Sequence, residues 1–328
     1  MRQRVEWIDA CKGFTMLLVI LGHCLDGYLK AKLFVSDFWW MQILFDFIYS
    51  FHMPLFFVLS GYLFYYSYNE CPFKKIKYKI LDLALLYFGY SVVQVLVQIL
   101  LASQVNRNIS VKDIFLLPVY TIPPYWYLYV LMFLYLISSA FFKPMKVNYL
   151  VVSVVIAGIS LLLPYAREFS VSRVAYYVPF FIFGGFSCIF RLEYKAHRWH
   201  LIPLLAFSLI LYSGDLTNKF YDVFIALALS LIVLECFWNF HSLSKVWLFN
   251  LCGKYCLPIY LIHCYLTAGT RIILHYFHVN NSAIYISIGM ILGIFVPILV
   301  YKICLQKEFL FFIFKPIQEL KNIRKCWI

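Results

Sequence analysis

The first residues able to do chemistry stand in one short stretch, Asp9-Ala10-Cys11-Lys12-Gly13, followed by an apolar run that ends Leu21-Gly22-His23. At 100° per residue, the steps from Lys12 to His23 return to nearly the same helix face, about 16 Å further along the axis. One stripe therefore carries Asp9, Lys12 and His23. Asp9 and Lys12, three positions apart, can pair and so reduce each other's burial cost. His23 has no local partner, and a histidine that titrates near neutrality is a natural acceptor for the proton of a hydroxyl nucleophile. The competing reading is a charge pair that sets topology plus an interfacial histidine.

A second candidate group lies in Ser50-Phe51-His52-Met53-Pro54, which runs on to Leu59-Ser60-Gly61-Tyr62. Pro54 removes a helix donor and should kink the segment, leaving backbone carbonyls for His52 or a substrate. Ser60-Gly61 is small enough for close helix contact, its commoner use. Asp46 could orient a histidine or sit at an interface. Lys74, Lys75, Lys77 and Lys79 follow as a basic cluster that could clamp the phosphates of a cofactor or simply mark the inner side of a membrane. Pro123-Pro124-Tyr125-Trp126-Tyr127 forms an aromatic cluster, and His263 ends Leu257-Pro258-Ile259-Tyr260-Leu261-Ile262-His263 within an apolar run, as do Asp82 and Glu235 in theirs.

The elements that must position these residues are membrane helices. Of 328 residues, 64% are hydrophobic and only 13% charged, against about 25% charged in a soluble domain. Apolar runs lie near residues 7–25, 39–66, 80–102, 125–142, 147–163, 174–190, 201–213, 220–238, 255–277 and 283–304. At roughly 20 residues per spanning helix, they predict an all-α polytopic bundle of about ten helices over 1–305. A basic, aromatic tail at 306–328 suits a helix lying on the membrane face. The charged residues inside the first run, Glu6, Asp9 and Lys12, argue for a retained helix rather than a cleaved signal peptide.

The net charge of +13 follows from topology. Most of the Lys and Arg residues collect on one side if both termini are cytoplasmic, where they also meet anionic lipid. No basic stripe with interleaved aromatics forms a nucleic-acid face, so none is expected as a partner. Ten cysteines lie scattered through apolar stretches, and Cys252 with Cys256 is a weak metal pair without a second pair. Free cysteines read as small buried hydrophobes, and no metal is expected.

Taken together, Asp9 to Gly13 with Leu21-Gly22-His23, Phe51 to Tyr62, Trp126-Tyr127-Leu128 and Leu257 to His263 resemble acyltransferase family 3, closest to its fucose 4-O-acetylase-like branch. The resemblance covers nearly the whole chain. It implies a bacterial inner-membrane enzyme that moves an acyl group, usually acetyl, from cytoplasmic acetyl-CoA to a hydroxyl of a cell-surface glycan or lipid-linked sugar. Lys12 and His23 fill the family's basic-residue and histidine positions, with Lys in place of the commoner Arg, so a planar bidentate contact is replaced by a point charge. Lys74 and Lys77 correspond by spacing to its paired basic residues, again with Lys for Arg. The expected roles are His23 as general base, Lys12 held by Asp9 against the donor, Lys74 to Lys79 on acyl-CoA, and His52, Ser60, Trp126 and His263 on the substrates. A polysaccharide exporter with a polar translocation path is the rival reading, and succinyl transfer a variant of the first.

Overall fold

The computed structural model describes residues 6–68, 73–100, 110–141, 155, 158–159, 170–189, 219–306, 313–314 and 316, with a few side chains at helix ends, including those of Lys74 and Lys75, outside that description. The described residues are mostly helical and contain no β-strand. In chain order they form α1 (Glu6–Lys30), α2 (Phe38–Tyr68), α3 (Phe73–Leu100), α4 (Lys112–Leu116), α5 (Trp126–Phe141), α6 (Ser170–Ile189), α7 (Lys219–Asn239), α8 (His241–Ser244), α9 (Trp247–Lys254), α10 (Cys256–Tyr276) and α11 (Ser282–Gln306), with a short 3-10 turn at Val35–Asp37.

Eight of the apolar runs read from the sequence thus appear as helices. Seven helices among the described residues are long and apolar enough to cross a membrane, and Trp126–Ser139 forms a shorter apolar helix. Of the run expected near 147–163 only residues 155, 158 and 159 are described, and the run near 201–213 falls outside the described residues, as does most of the 306–328 tail. Phe314 is described, and it is buried against Tyr301 with ring centroids 5.1 Å apart. The faces of α3 and α11 that show Leu81, Leu85, Phe88, Leu96, Ile291, Phe295 and Leu299 are exposed and apolar. Such surface is stable against lipid and not against water. The molecule is a multi-pass membrane protein.

Burying apolar area against apolar lipid gives little drive for helix association, so close packing and hydrogen bonds must hold the bundle. Two crossings are built on reciprocal glycines. A Cβ on Gly13 of α1 would lie 1.8 Å from the Phe249 carbonyl oxygen of α9, and one on Gly253 of α9 would lie 1.9 Å from that of Asp9. The α2–α6 crossing repeats the device: Gly61 faces the Phe181 carbonyl oxygen at 2.0 Å and Gly184 that of Val58 at 1.9 Å. Only hydrogen fits at these four positions.

Tyrosine hydroxyls then tie elements together by donating to backbone carbonyls. Tyr28 of α1 bonds Tyr285 of α11 at 2.9 Å, and Tyr87 of α3 bonds Leu117 at 2.8 Å. The corner before α5 is joined to α10 in both directions, Tyr125 donating to Leu261 at 2.9 Å and Tyr260 to Pro124 at 2.7 Å. In a medium without water, each such bond satisfies a phenol that would otherwise be buried at a cost.

Candidate functional site

A cavity of about 650 Å³ lies among α1, α2, the Pro123-Pro124 corner, α5, α6, α7 and α10. Along α1 it is lined by Val19, His23, Asp26 and Lys30. These positions follow a spacing of four, three and four, the continuation of the stripe that carries Lys12. From α2 come Phe45, Asp46, Tyr49, Ser50, His52, Met53 and Pro54.

His52 is 4% exposed, and its Nδ1 lies 2.6 Å from the Ile48 carbonyl oxygen four residues back. A carbonyl only accepts, so Nδ1 carries the proton and Nε2 keeps its lone pair. The sequence suggested that His52 could use a carbonyl freed by Pro54. The ring instead takes Ile48, and the carbonyl that loses its i+4 donor is that of Ser50, which lines the cavity beside Pro54. Asp46 accepts from Gln42 Nε2 at 2.9 Å and also lines the cavity.

The ring of His263 packs against His23 with centroids 5.1 Å apart. It is fully buried, and its Nδ1 donates to the carbonyls of Ile259 and Tyr260, each at 2.9 Å. Its Nε2 faces the thiol of Cys264 at 3.2 Å. Two helices thus present histidines fixed in the same tautomer, His52 from α2 and His263 from α10, around the α1 residue His23.

Ser60 is a little over two turns beyond His52 on α2, and its hydroxyl shares a 2.7 Å hydrogen bond with Tyr127. The packing role foreseen for Ser60-Gly61 falls to Gly61, while Ser60 holds the start of α5. Trp126 lines the cavity, 5.2 Å from the Tyr177 ring in a stacked arrangement.

Lys12, Lys77 and Lys79 are elsewhere. Lys12 Nζ lies 3.5 Å from Asp9 Oδ1, the pair foreseen from the spacing, with both side chains roughly a quarter exposed. Neither residue lines the cavity, and neither do Lys77 and Lys79. Lys77 is exposed, and Lys79 lies with its ammonium 5.3 Å from the Tyr135 ring centre.

Sequence reasoning missed several lining residues: Asp26 with Lys30, whose charged groups pair at 2.7 Å, Arg173, Tyr176, Asp222 and Tyr260. Arg173 places its guanidinium 5.0 Å from the Trp126 ring and donates to Thr121 Oγ1 at 3.1 Å. Arg173 and Asp222 stand in the first turns of α6 and α7. From sequence, such charges at the edge of an apolar run read as headgroup anchors. The cysteines among the described residues are unbridged. Burial pushes the thiol of Cys252, on the short helix α9, up to about 12, which keeps it a neutral packing group.

Comparison with known proteins gives three findings. Residues 5–302 match the model of a family described as an acyltransferase domain. Over 55 residues, 17% of this chain, the sequence is 44% identical to the nodulation protein NolL of Sinorhizobium fredii (strain NBRC 101917 / NGR234), a stretch that spans 14% of that relative. The same figures hold for nodulation protein NolL of Mesorhizobium japonicum (strain LMG 29417 / CECT 9101 / MAFF 303099). No solved structure matches the chain.

Proposed function

The chain belongs to acyltransferase family 3, and on that premise we propose that it is an O-acetyltransferase that moves acetyl from cytoplasmic acetyl-CoA to a hydroxyl of a surface glycan or its lipid-linked precursor. In this reading it is a protein of the bacterial inner membrane with about ten spans, both termini cytoplasmic and the cavity on the outer side. The observation that carries the proposal is the position of His23. It lines the cavity from the middle of the α1 stripe, between Val19 and Asp26, and shares that lining with Ser50, His52 and Trp126.

The acceptor hydroxyl sits in the cavity and gives its proton to His23 as its oxygen attacks the thioester carbonyl. The C–S bond breaks, and the CoA sulfur takes that proton back from the imidazolium. His52 Nε2 accepts from a second hydroxyl of the acceptor and so helps to orient it. Ser60, through Tyr127, and Trp126 shape the wall beside it.

Lys12 lies about 16 Å below His23 along the helix, too far for its ammonium to touch the carbonyl under attack. It serves the donor instead, held by Asp9 on the inner part of the stripe, with Lys74, Lys75, Lys77 and Lys79 attracting the CoA phosphates from the cytoplasm. The test is His23→Ala in a strain with matched protein abundance, reading O-acetyl esters on the surface polysaccharide. Loss of the esters is expected, and unchanged acetylation removes His23 as the base. Labelled acetyl-CoA with purified protein separates transfer from the export of a glycan without CoA consumption.

A further inference from the structure

The contact between α1 and α10 gathers three soft donors into one place. A nitrogen of His23, a nitrogen of His263 and the sulfur of Cys264 all lie within 4.8 Å of one another. We propose that His23, His263 and Cys264 bind one thiophilic divalent cation, Zn²⁺, and that the bound ion shuts off the transferase by occupying His23. The inhibitory half rests on the reading of His23 as the base, and the binding half does not.

The donor set fits zinc. Tetrahedral Zn²⁺ with bonds near 2.0–2.3 Å holds its ligand atoms roughly 3.3–3.6 Å apart. His263 Nε2 and Cys264 Sγ are already 3.2 Å apart, so closing the set asks only for small side-chain rotations. Two imidazoles and a thiolate select zinc over the hard cations, which take oxygen ligands.

The outer shell is in place as well. The bonds from His263 Nδ1 to the Ile259 and Tyr260 carbonyls at 2.9 Å fix the ring with Nε2 unprotonated, the arrangement that metal-binding histidines require. Cys264 keeps some accessible surface, and Asp26 is among its electrostatic neighbours. Asp26 also lines the cavity, paired there with Lys30, so a carboxylate lies near the cluster on the cavity side.

Binding displaces the thiol proton to solvent. Three protein ligands leave the fourth position of a tetrahedral ion open, and one of the three, His23, lines the cavity. The lone pair that His23 gives to zinc is the one it would use to take the acceptor's proton. Occupied and catalytic states of His23 therefore exclude each other.

The test uses the purified full chain in detergent after chelator treatment. Equilibrium with Zn²⁺ should leave about one tightly held ion per chain, and Co²⁺ should give the charge-transfer absorption of a cobalt thiolate. Cys264→Ala and Cys264→Ser should lose that absorption and bind zinc at least about tenfold more weakly, since even outer-shell changes weaken metal sites by 10- to 100-fold. Cys252→Ser should bind as the wild type does. Zinc should inhibit acyl transfer reversibly by chelator, and Cys264→Ala should keep basal transfer while its inhibition moves to at least tenfold higher zinc.

Failure of the wild type to retain zinc, or an unchanged cobalt spectrum in Cys264→Ala, overturns the site. Full transfer by the zinc-loaded protein overturns the inhibition. A normal zinc titration in a protein that transfers no acyl group instead sinks the transferase reading and leaves the site standing.

Discussion

Lys12 and His23 share one stripe of α1, yet only His23 reaches the cavity, while Lys12 stays with Asp9 at 3.5 Å. The two residues stand about 16 Å apart along the helix, and in the proposed reaction His23 serves the acceptor and Lys12 the donor.

That division predicts different kinetic signatures. His23→Ala should lower kcat by roughly 10²- to 10⁴-fold, the range for removing a general base, with little change in KM for acetyl-CoA. Lys12→Met should mainly raise KM for acetyl-CoA. Steady-state kinetics on purified variants checks both, and full activity in Lys12→Met removes Lys12 from the mechanism.

The basic cluster makes a prediction of the same kind. Lys77→Gln with Lys79→Gln should raise KM for acetyl-CoA several-fold at low salt and leave kcat unchanged. Attraction between exposed charges is screened over about 10 Å at 0.1 M salt, so the difference should shrink as salt rises. Equal KM values at low salt would confine these lysines to setting topology.

The glycine crossings predict a contrast in stability. Gly61→Ala places a methyl 2.0 Å from the Phe181 carbonyl oxygen, whereas a Cβ on Gly89 meets nothing within 4 Å. Overpacking of this sort costs about 1–3 kcal/mol. Gly61→Ala should melt at lower temperature in detergent and Gly89→Ala should not, as thermal unfolding followed by fluorescence will read.

Tyr260→Phe removes the hydroxyl that donates to the Pro124 carbonyl at 2.7 Å. The bond is buried, so its loss should destabilise by about 1 kcal/mol. Because that corner leads directly into Trp126, the acceptor KM should rise in the same variant. A lowered Tm with an unchanged acceptor KM would separate the corner from the site.

The local features were legible in the sequence. Hydropathy alone located eight of the eleven helices among the described residues, all but the short α4, α8 and α9, and residue spacing located the Asp9–Lys12 pair and the stripe leading to His23. The tautomers of His52 and His263 were not legible, because an i−4 carbonyl becomes a partner only once the rotamer is known. Nor was the contact between His23 and His263, which depends on how α1 meets α10. Arg173 and Asp222 carried a signal that points the wrong way: a charge at the start of an apolar run is normally a headgroup anchor, and only the gathering of α6 and α7 around the cavity turns it inward. Gly13 and Gly253 look like ordinary small residues until the facing carbonyl is seen.

The reciprocal glycines bind α1 to α9 and α2 to α6 with backbone against backbone. At the glycines no side chain stands between the helices, and ring contacts such as Phe14–Phe249 and Phe57–Tyr177 flank the crossings, so each pair should move as one stiff unit. The two units supply facing walls of the cavity, α1 from one and α2 with α6 from the other. In the proposed reaction, a larger acceptor or a longer acyl chain would be admitted by one unit sliding past the other. Substitutions at the α1–α2 seam, where Gly22 meets the Tyr49 ring, should then retune selectivity without touching a group that contacts the reacting atoms.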